Sequence, residues 1–337
     1  MIEIKDLSVS FHTYFGEVQA VRGVNLKVED EETLAIVGES GCGKSVTAQS
    51  IMRIHNMEIT EFKSGEILFD EIDLLKISEK EMQTIRGNKI GMIFQDPMTA
   101  LNPTMTAGNQ IAEVLLRHEK KSDGKKLSRT EAKERAVELL RMVKMPNPEH
   151  RVNQFPHEFS GGQLQRVVVA MAMACSPQVL IADEPTTALD VTVQAQILDL
   201  MKEMQTEKHV SVIIITHDLG VVANIAKKVA VMYGGIVVET GTVGDIFYRS
   251  KHPYTWGLLD SISRLSKRKG EPLKSIEGTP PDLVKPPAGC PFADRCEYAM
   301  QVCQDHLPPE SELSENHLCR CWLLDPECPV KLERRKV

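Results

Sequence analysis

Eight consecutive residues near the amino terminus have the composition of a loop that binds phosphate. They are Gly38, Glu39, Ser40, Gly41, Cys42, Gly43, Lys44 and Ser45, and a helical pattern begins there and includes Val46. The glycines let successive backbone N–H groups curl around phosphate oxygens, and the helix that follows directs its positive dipole end towards the anion. In such a loop the lysine pairs with the β- and γ-phosphates, and the serine hydroxyl ligates Mg²⁺. The segment therefore predicts a nucleoside triphosphate site containing Lys44 and Ser45.

Two adjacent carboxylates end an apolar strand later in the chain. The run 179–182 (Val-Leu-Ile-Ala) leads directly into Asp183 and Glu184. Alone, this pattern is as typical of a buried structural strand that ends in an acidic turn as it is of a catalytic site. In a chain with a phosphate loop, the aspartate is expected to hold Mg²⁺ and the glutamate to polarise the attacking water. The predicted reaction is hydrolysis of a nucleoside triphosphate, with Asp183 as the metal residue and Glu184 as the base.

A second loop of small residues enters a helix at Gln163. Ser160, Gly161 and Gly162 precede it, so a hydroxyl and two glycine N–H groups are available to an anion. The segment 159–166 (Phe-Ser-Gly-Gly-Gln-Leu-Gln-Arg) resembles the signature sequence of ATP-binding cassette (ABC) ATPases. A second anion-binding loop is explained if it closes on the γ-phosphate held by a partner subunit. We therefore expect a head-to-tail dimer with two ATP molecules at its interface.

Three further segments match the same family in the family's order along the chain. Gln95 matches the glutamine loop, Asp190, in Ala188-Leu189-Asp190, matches the loop that crosses to the other subunit, and His217 matches the switch histidine. Each of these residues alone would be an ordinary loop residue. The resemblance implies that Gln95 contacts Mg²⁺ and the γ-phosphate, so that Ser45, Gln95 and Asp183 form the magnesium site. It also implies that His217 lies near the γ-phosphate.

An aromatic residue that stacks on adenine is expected before a glycine about twenty residues ahead of the phosphate loop in this family. Phe15, before Gly16, fits this position best, and Tyr14 is the other candidate. Either residue could instead be a core aromatic of the opening strands. Stacking uses a π face and no hydrogen-bond pattern, so selectivity for adenine is expected to be modest.

Six of the eight cysteines lie after residue 289. They are Cys290, Cys296, Cys303, Cys319, Cys321 and Cys328. Their spacings lack the Cys-x-x-Cys pairs usual in zinc ribbons, although zinc accepts other arrangements. Four thiolates can also hold an iron–sulfur cluster, and scattered reduced thiols are the third interpretation.

The surroundings of these cysteines resemble the carboxy-terminal extension of dipeptide and oligopeptide importer ATPases. The matching stretches are His252-Pro253-Tyr254-Thr255, Gly278-Thr279-Pro280-Pro281, Gly289-Cys290-Pro291-Phe292 and Arg295-Cys296. The resemblance implies a [4Fe-4S] cluster held by Cys290, Cys296, Cys303 and Cys321, with zinc as the alternative. Cys319 departs from the family pattern, which leaves the choice between Cys319 and Cys321 open, and Cys328 matches nothing. A four-thiolate centre would stabilise a tail that has little core of its own.

The elements that must position these residues alternate between strand and helix. Apolar strands are predicted over 32–37, 89–94, 178–182 and 210–215, and helices over 130–144, 163–175 and 191–207. This alternation favours a mostly parallel sheet. The predicted fold class is α/β: a P-loop ABC ATPase with a RecA-like parallel sheet core, an antiparallel β subdomain, an inserted helical subdomain at about 91–165 and a small metal-stabilised carboxy-terminal extension. The predicted domains are 1–250, the nucleotide-binding domain, and 251–337, the extension.

Composition limits the remaining function classes. Hydrophobic residues make up 42% of the 337, and 40 basic against 47 acidic residues give a net charge of −7. No run approaches the roughly 18 apolar residues of a membrane-spanning helix, and nucleic acid is not expected as a partner. The start lacks a secretory signal pattern, which predicts a cytoplasmic protein. With the importer resemblance, we expect a peripheral subunit on the cytoplasmic face of the cell membrane.

The resemblance implies that the chain hydrolyses ATP to power peptide import. The implied partners are two permease subunits, a second related ATPase or another copy of this chain, and indirectly an extracellular solute-binding protein. Nickel and sugars are alternative cargoes. A soluble ABC-type ATPase that acts on nucleic acid or ribosomes is the alternative function, and it is disfavoured because the chain has a single cassette and no basic surplus.

Overall fold

The computed structural model describes residues 1–119, 124–187, 189–261 and 276–330. Its strands are β1 (Ile2–Thr13), β2 (Gly16–Val28), β3 (Thr33–Val37), β4 (Thr60–Phe69), β5 (Ile72–Asp73), β6 (Ile90–Ile93), β7 (Val179–Asp183), β8 (Ser211–Ile215), β9 (Lys228–Tyr233), β10 (Ile236–Thr242), β11 (Ser311–Ser314) and β12 (His317–Cys319). Its α-helices are α1 (Lys44–Met52), α2 (Glu79–Ile85), α3 (Pro97–Ala100), α4 (Ala107–His118), α5 (Arg129–Met142), α6 (Pro148–Arg151), α7 (Gly161–Ala172), α8 (Val191–Lys208), α9 (Leu219–Ile225), α10 (Val243–Arg249), α11 (Pro253–Asp260) and α12 (Gln301–Asp305).

The first of two compact units consists of Met1, Val28–Thr33 and Lys76–Ile215. Its strands β6, β7 and β8 are parallel neighbours, with Met92 opposite Ile181 and Ile181 opposite Ile213. All three strands are buried along their whole length, which is typical of parallel strands covered on both faces. Helices α2 to α8 complete this unit.

The second unit consists of Ile2–Lys27, Leu34–Leu75 and Thr216–Val337. One of its sheets has the order β2-β1-β4-β5, in which β4 is antiparallel to both β1 and β5. In the other, the order is β11-β12-β10-β9-β3. Only β3 and β9 are parallel there, because the later strands follow one another through antiparallel pairs. The strand before the phosphate loop, β3, therefore lies beside β9, which comes much later in the sequence.

The Glu239 carboxylate joins three segments of the second unit. It is buried and accepts hydrogen bonds from Lys251 N at 2.6 Å, from His252 N at 3.2 Å and from His317 Nε2 at 2.9 Å. Its strand, β10, pairs with β12, where Glu239 lies opposite Cys319. A buried carboxylate is tolerated only when its oxygens are paired in this way. Glu239 thus connects the cysteine-containing tail to strand β10 of the second unit.

Replacing this carboxylate is expected to destabilise the protein. Glu239→Ala removes the acceptor of two backbone N–H groups and of the His317 ring, and the donors of His252 and His317 stay buried. The expected loss is about 3–5 kcal/mol in the free energy of unfolding, as for other broken buried charged networks. Thermal and urea unfolding measure it. The exposed Glu312→Ala in β11 is the control, and an unchanged midpoint for Glu239→Ala would contradict the role.

Candidate functional site

The predicted phosphate loop connects β3 to α1 in the second unit. Lys44 is the first residue of α1 and is only 6% exposed. Its Nζ donates to the backbone carbonyl oxygens of Gly38 at 2.9 Å and Glu39 at 2.8 Å. The ammonium is therefore held at the mouth of the loop by two neutral acceptors, which anionic phosphate oxygens can replace at a gain in charge complementarity.

Two glycines of this loop have no space for a side chain. Gly38 has φ +150, and a Cβ there would lie 2.2 Å from the carbonyl oxygen of Met232. Gly43 has φ +100, and a Cβ there would lie 2.5 Å from the carbonyl oxygen of Ala20. Gly41 and Ser40 are exposed at the tip of the loop, where nothing lies within 4 Å of an added Cβ on Gly41. Cys42 is buried, and this burial raises the pKa of its thiol.

The predicted base and the predicted glutamine lie together in the first unit. Gln95 Nε2 donates to Glu184 Oε2 at 3.0 Å, and Thr187 Oγ1 donates to the same oxygen at 2.9 Å. Glu184 has a left-handed backbone, with φ +46, immediately after buried Asp183 at the end of β7. Few non-glycine residues adopt this conformation, and such strain is concentrated at functional sites. The sequence predicted Gln95 and Glu184 separately, whereas their hydrogen bond emerges only in the structure.

The segment that resembles the signature sequence begins α7. The sequence predicts the helix to begin at Gln163, but it begins two residues earlier, at Gly161. Ser160 precedes the first turn, and its backbone N–H donates to Gln163 Oε1 at 3.1 Å. Asp190 caps α8 by accepting from Val193 N at 2.9 Å. Ala188, of the predicted crossing loop, lies outside the described residues.

The two signature glycines are expected to differ in their tolerance of alanine. A Cβ on Gly162 would lie 2.5 Å from Val193 Cγ1, whereas a Cβ on Gly161 meets only Leu189 Cδ2 at 3.8 Å. Val193 is β-branched and restricted in rotation, so Gly162→Ala should be about 1–3 kcal/mol less stable than Gly161→Ala. Thermal unfolding of the two matched variants tests this, and equal stabilities would refute the close approach of α7 and α8.

Both candidates for adenine stacking are exposed. Tyr14 is 98% and Phe15 85% exposed in the turn between β1 and β2, with ring centroids 5.6 Å apart in an edge-to-face arrangement. The alternative that either is a core aromatic is therefore wrong. His217 is also exposed, immediately after buried Thr216, whose N–H donates to Ile36 O.

Four of the cysteines line one small cavity in the second unit. They are Cys290, Cys296, Cys303 and Cys321, and they share the cavity with His252, Phe292 and Trp322 among others. Burial and the neighbouring thiols raise the pKa of Cys290 and of Cys321 to about 12. Cys319 lies in β12 opposite Glu239, and Cys328 Sγ lies 3.8 Å from Met300 Sδ.

The predicted metal stabilisation of the extension is not supported. Within residues 1–119, 124–187, 189–261 and 276–330, no three His, Cys, Asp or Glu side chains are grouped so that they could hold a metal ion. The cavity that these cysteines line is also lined by aromatic side chains such as Phe292 and Trp322. The described residues therefore support neither the predicted [4Fe-4S] cluster nor the zinc alternative.

Comparisons with known proteins identify the family. Residues 21–187 match the family model described as ABC transporter, and residues 238–303 match that described as oligopeptide/dipeptide transporter, C-terminal region. The chain is 59% identical to the oligopeptide transport ATP-binding protein OppD of Bacillus subtilis, over 100% of this chain and 94% of that protein. The chain belongs to the ATP-binding proteins of ABC transporters. This ABC protein is also 55% identical to the dipeptide transport ATP-binding protein DppD of Bacillus subtilis, over 96% of this chain and 95% of that protein.

Solved structures agree with this assignment. A dimeric post-hydrolysis ATP-binding cassette bound to ADP and Pi superposes with a TM-score of 0.64 and 29% identity, over 72% of this chain and 99% of that one. The predicted P-loop ABC ATPase fold and the predicted ATPase activity are therefore confirmed. In the part of the chain that the structure describes, no helix of this ABC protein is long and apolar enough to span a membrane.

Proposed function

We propose that this ABC ATPase hydrolyses ATP to power import of dipeptides or oligopeptides through a membrane permease. The observation that carries the proposal is the identity of 59% with a protein named for oligopeptide transport, which extends over the whole chain and includes the extension. The relatives named for dipeptide transport, at 55% and 52% identity, support the same cargo class. Nickel and sugars are the alternative cargoes that the experiment below separates.

The residues of the phosphate loop supply the binding chemistry in this proposal. Backbone N–H groups of 38–45 and the Lys44 ammonium bind the phosphates, and Tyr14 or Phe15 stacks on adenine. Ser45, Gln95 and Asp183 offer hydroxyl, amide and carboxylate oxygens, which suit the oxygen preference of Mg²⁺. When bound, Mg²⁺ neutralises charge on the phosphates. These assignments follow the family's motifs at matching positions of this sequence.

Glu184 accepts the proton of the water that attacks the γ-phosphorus, and the bond between that phosphorus and the departing ADP oxygen breaks. The donors Gln95 and Thr187 hold its Oε2, which orients the carboxylate for this transfer. His217 is assigned to the γ-phosphate. We assign the signature residues Ser160, Gly161, Gly162 and Gln163, together with Asp190, to the ATP bound by the other subunit of a head-to-tail dimer.

The proposed assembly contains two ATPase subunits and two permease subunits at the cytoplasmic face of the membrane. The second ATPase is a related chain or a second copy of this one. The cassette dimer with ADP and Pi and the exposed residues around Gln95, such as Met98, support this arrangement. A solute-binding protein on the other side of the membrane delivers the cargo.

ATPase activity in liposomes tests the proposed function. The chain is reconstituted with its candidate permease and partner ATPase, and phosphate release is measured with binding protein loaded with dipeptide, nickel, sugar or nothing. We expect stimulation by the peptide-loaded binding protein. Stimulation by nickel or sugar alone would change the cargo, and activity that ignores the permease but responds to DNA or ribosomes would overturn the transport function.

We further propose that the cysteine cavity holds a [4Fe-4S] cluster. A cluster is larger than a single ion, so its thiolates surround a volume, as Cys290, Cys296, Cys303 and Cys321 do here. His252 supports a bound group, because its Nε2 is buried beside this cavity and has no hydrogen-bond partner among the described residues. Absorbance near 400 nm with about four irons per chain after anaerobic purification is expected. Stoichiometric zinc, or neither metal, would refute the proposal.

A further inference from the structure

Glu39 of the phosphate loop directs its side chain to the carboxy-terminal extension. Arg295 forms a two-pronged ion pair with it, Nη1 to Oε2 at 2.6 Å and Nη2 to Oε1 at 3.0 Å. The Arg295 side chain is only 6% exposed. Paired, planar contacts of this kind fix geometry as well as charge. A residue 256 positions away in sequence thus holds the second residue of the loop.

The guanidinium of Arg295 is itself held from every side. Besides Glu39, its nitrogens donate to Tyr233 Oη at 2.9 Å and to the backbone oxygens of Ile276 and Glu277 at 3.1 and 2.8 Å. These five hydrogen bonds match the five N–H groups that an arginine possesses. The guanidinium carbon also lies 5.6 Å from the centre of the Tyr233 ring. Arg295 therefore cannot follow Glu39 if the loop moves.

A second contact holds the backbone of the same loop residue. The Glu39 N–H donates to Tyr254 Oη at 2.8 Å, and the Tyr254 ring is fully buried. Tyr254 packs against Tyr233 and Phe292, with ring centroids 4.4 and 5.3 Å apart. The amide and the carboxylate of Glu39 are thus both fixed by residues beyond position 250, while its carbonyl accepts from Lys44 Nζ.

We propose that Arg295 is a positioning residue of the phosphate loop. It acts through Glu39, which in turn places the Lys44 ammonium, and it touches no phosphate itself. The Arg295 guanidinium also compensates the negative charge of Glu39 beside the triphosphate. The inference rests on the proposed binding of ATP at this loop. Because Arg295 directly precedes Cys296 of the cysteine cavity, the fold of the extension and the nucleotide affinity are linked through one residue.

Nucleotide binding by the full-length chain tests this role. Measured well below the unfolding temperature of the variant, the Kd of Arg295→Gln for ATP and ADP is expected to rise about 10-fold or more. This rise is equivalent to about 1.4 kcal/mol. The Kd for AMP should change less than about twofold, because AMP lacks the phosphates that the P-loop lysine holds. Arg295→Lys keeps the charge but loses the fork, so we expect an intermediate loss.

Arg320→Gln is the matched control. Arg320 directly precedes Cys321, as Arg295 precedes Cys296, and pairs with Glu310 inside the extension at 3.3 Å. We expect its ATP affinity to equal that of the parent within about twofold. In a double-mutant cycle, Glu39→Gln and Arg295→Gln should be strongly non-additive. The Arg295→Lys variant keeps the test decisive if Arg295→Gln does not fold.

Several outcomes would overturn the role. They are parental ATP affinity in Arg295→Lys, equal weakening of ATP, ADP and AMP in Arg295→Gln, an equal loss in Arg320→Gln, and additivity in the cycle. The first outcome would mean that the positive charge of the side chain is enough to explain the effect on ATP affinity. Each of the others would mean that the substitution acts only through folding. A parent chain that binds ATP but ignores peptide-loaded binding protein would instead refute the peptide import function while leaving the role of Arg295 intact.

Discussion

Glu184→Gln is expected to lower the rate of ATP hydrolysis at least about 100-fold and to leave ATP affinity within about twofold of the parent. A glutamine side-chain oxygen can still accept from Gln95 Nε2 and Thr187 Oγ1, so the local geometry is kept. It cannot accept the proton of the attacking water, and general bases contribute about 10²–10⁴-fold. Phosphate release and equilibrium binding of a fluorescent ATP analogue measure the two effects.

The same variant is expected to accumulate as an ATP-bound dimer, because closure no longer ends in hydrolysis. Size-exclusion chromatography with and without ATP measures the dimer. Glu138→Gln, on the exposed face of α5, is the control and should behave as the parent. Hydrolysis by Glu184→Gln at the parental rate would show that Glu184 is not the base.

Lys44→Ala is expected to weaken ATP binding by about 100-fold, equivalent to about 3 kcal/mol. The ammonium is buried at the mouth of the loop and makes two hydrogen bonds to carbonyl oxygens, which the phosphates of ATP would replace. Each charge-assisted hydrogen bond is worth about 1.5–3 kcal/mol, so the loss of one lysine can remove this much. Hydrolysis should fall with binding.

Lys63→Ala is the matched control for this variant. Lys63 lies in β4 of the same unit, is partly exposed and pairs with Glu17 and Glu61. It should bind ATP as the parent does. Thermal unfolding separates a local loss from a disrupted loop, since Gly38 O and Glu39 O lose a donor in Lys44→Ala. Parental ATP affinity in Lys44→Ala would refute the assignment of this loop.

The sequence predicts the phosphate loop and the paired carboxylates because the groups that do the chemistry are contiguous. Residues 38–45 and 183–184 act through their own backbone and through adjacent side chains, so spacing alone carries the information. The strands that hold them were also predictable: the expected strands over 32–37 and 210–215 are observed as Thr33–Val37 and Ser211–Ile215. Their buried apolar runs admit few other structures.

The contacts between distant residues could not be predicted in this way. Arg295 and Glu39 are 256 positions apart, and neither residue has a local pattern that identifies the other. The start of α7 was missed by two residues because Gly161 and Gly162 disfavour helix interiors, whereas they stand here in its first turn.

The hairpin between β9 and β10 has a recognisable pattern in the sequence. Gly234 and Gly235, with φ +54 and +83, connect two apolar runs, and a two-residue Gly-Gly turn of this kind predicts antiparallel strands. Without that hairpin, the sequence favoured a mostly parallel sheet, and the antiparallel half of the second unit's larger sheet was missed.

The pairing of β10 with β12 has a consequence for dissecting the protein. A chain cut after residue 250 would lose β12 and the donors Lys251, His252 and His317. The strand Ile236–Thr242 would become an unprotected edge whose apolar residues can recruit the same strand of another molecule. Such a minimal cassette is expected to aggregate instead of reporting on a free catalytic domain, so point variants are the safer route to the role of the tail.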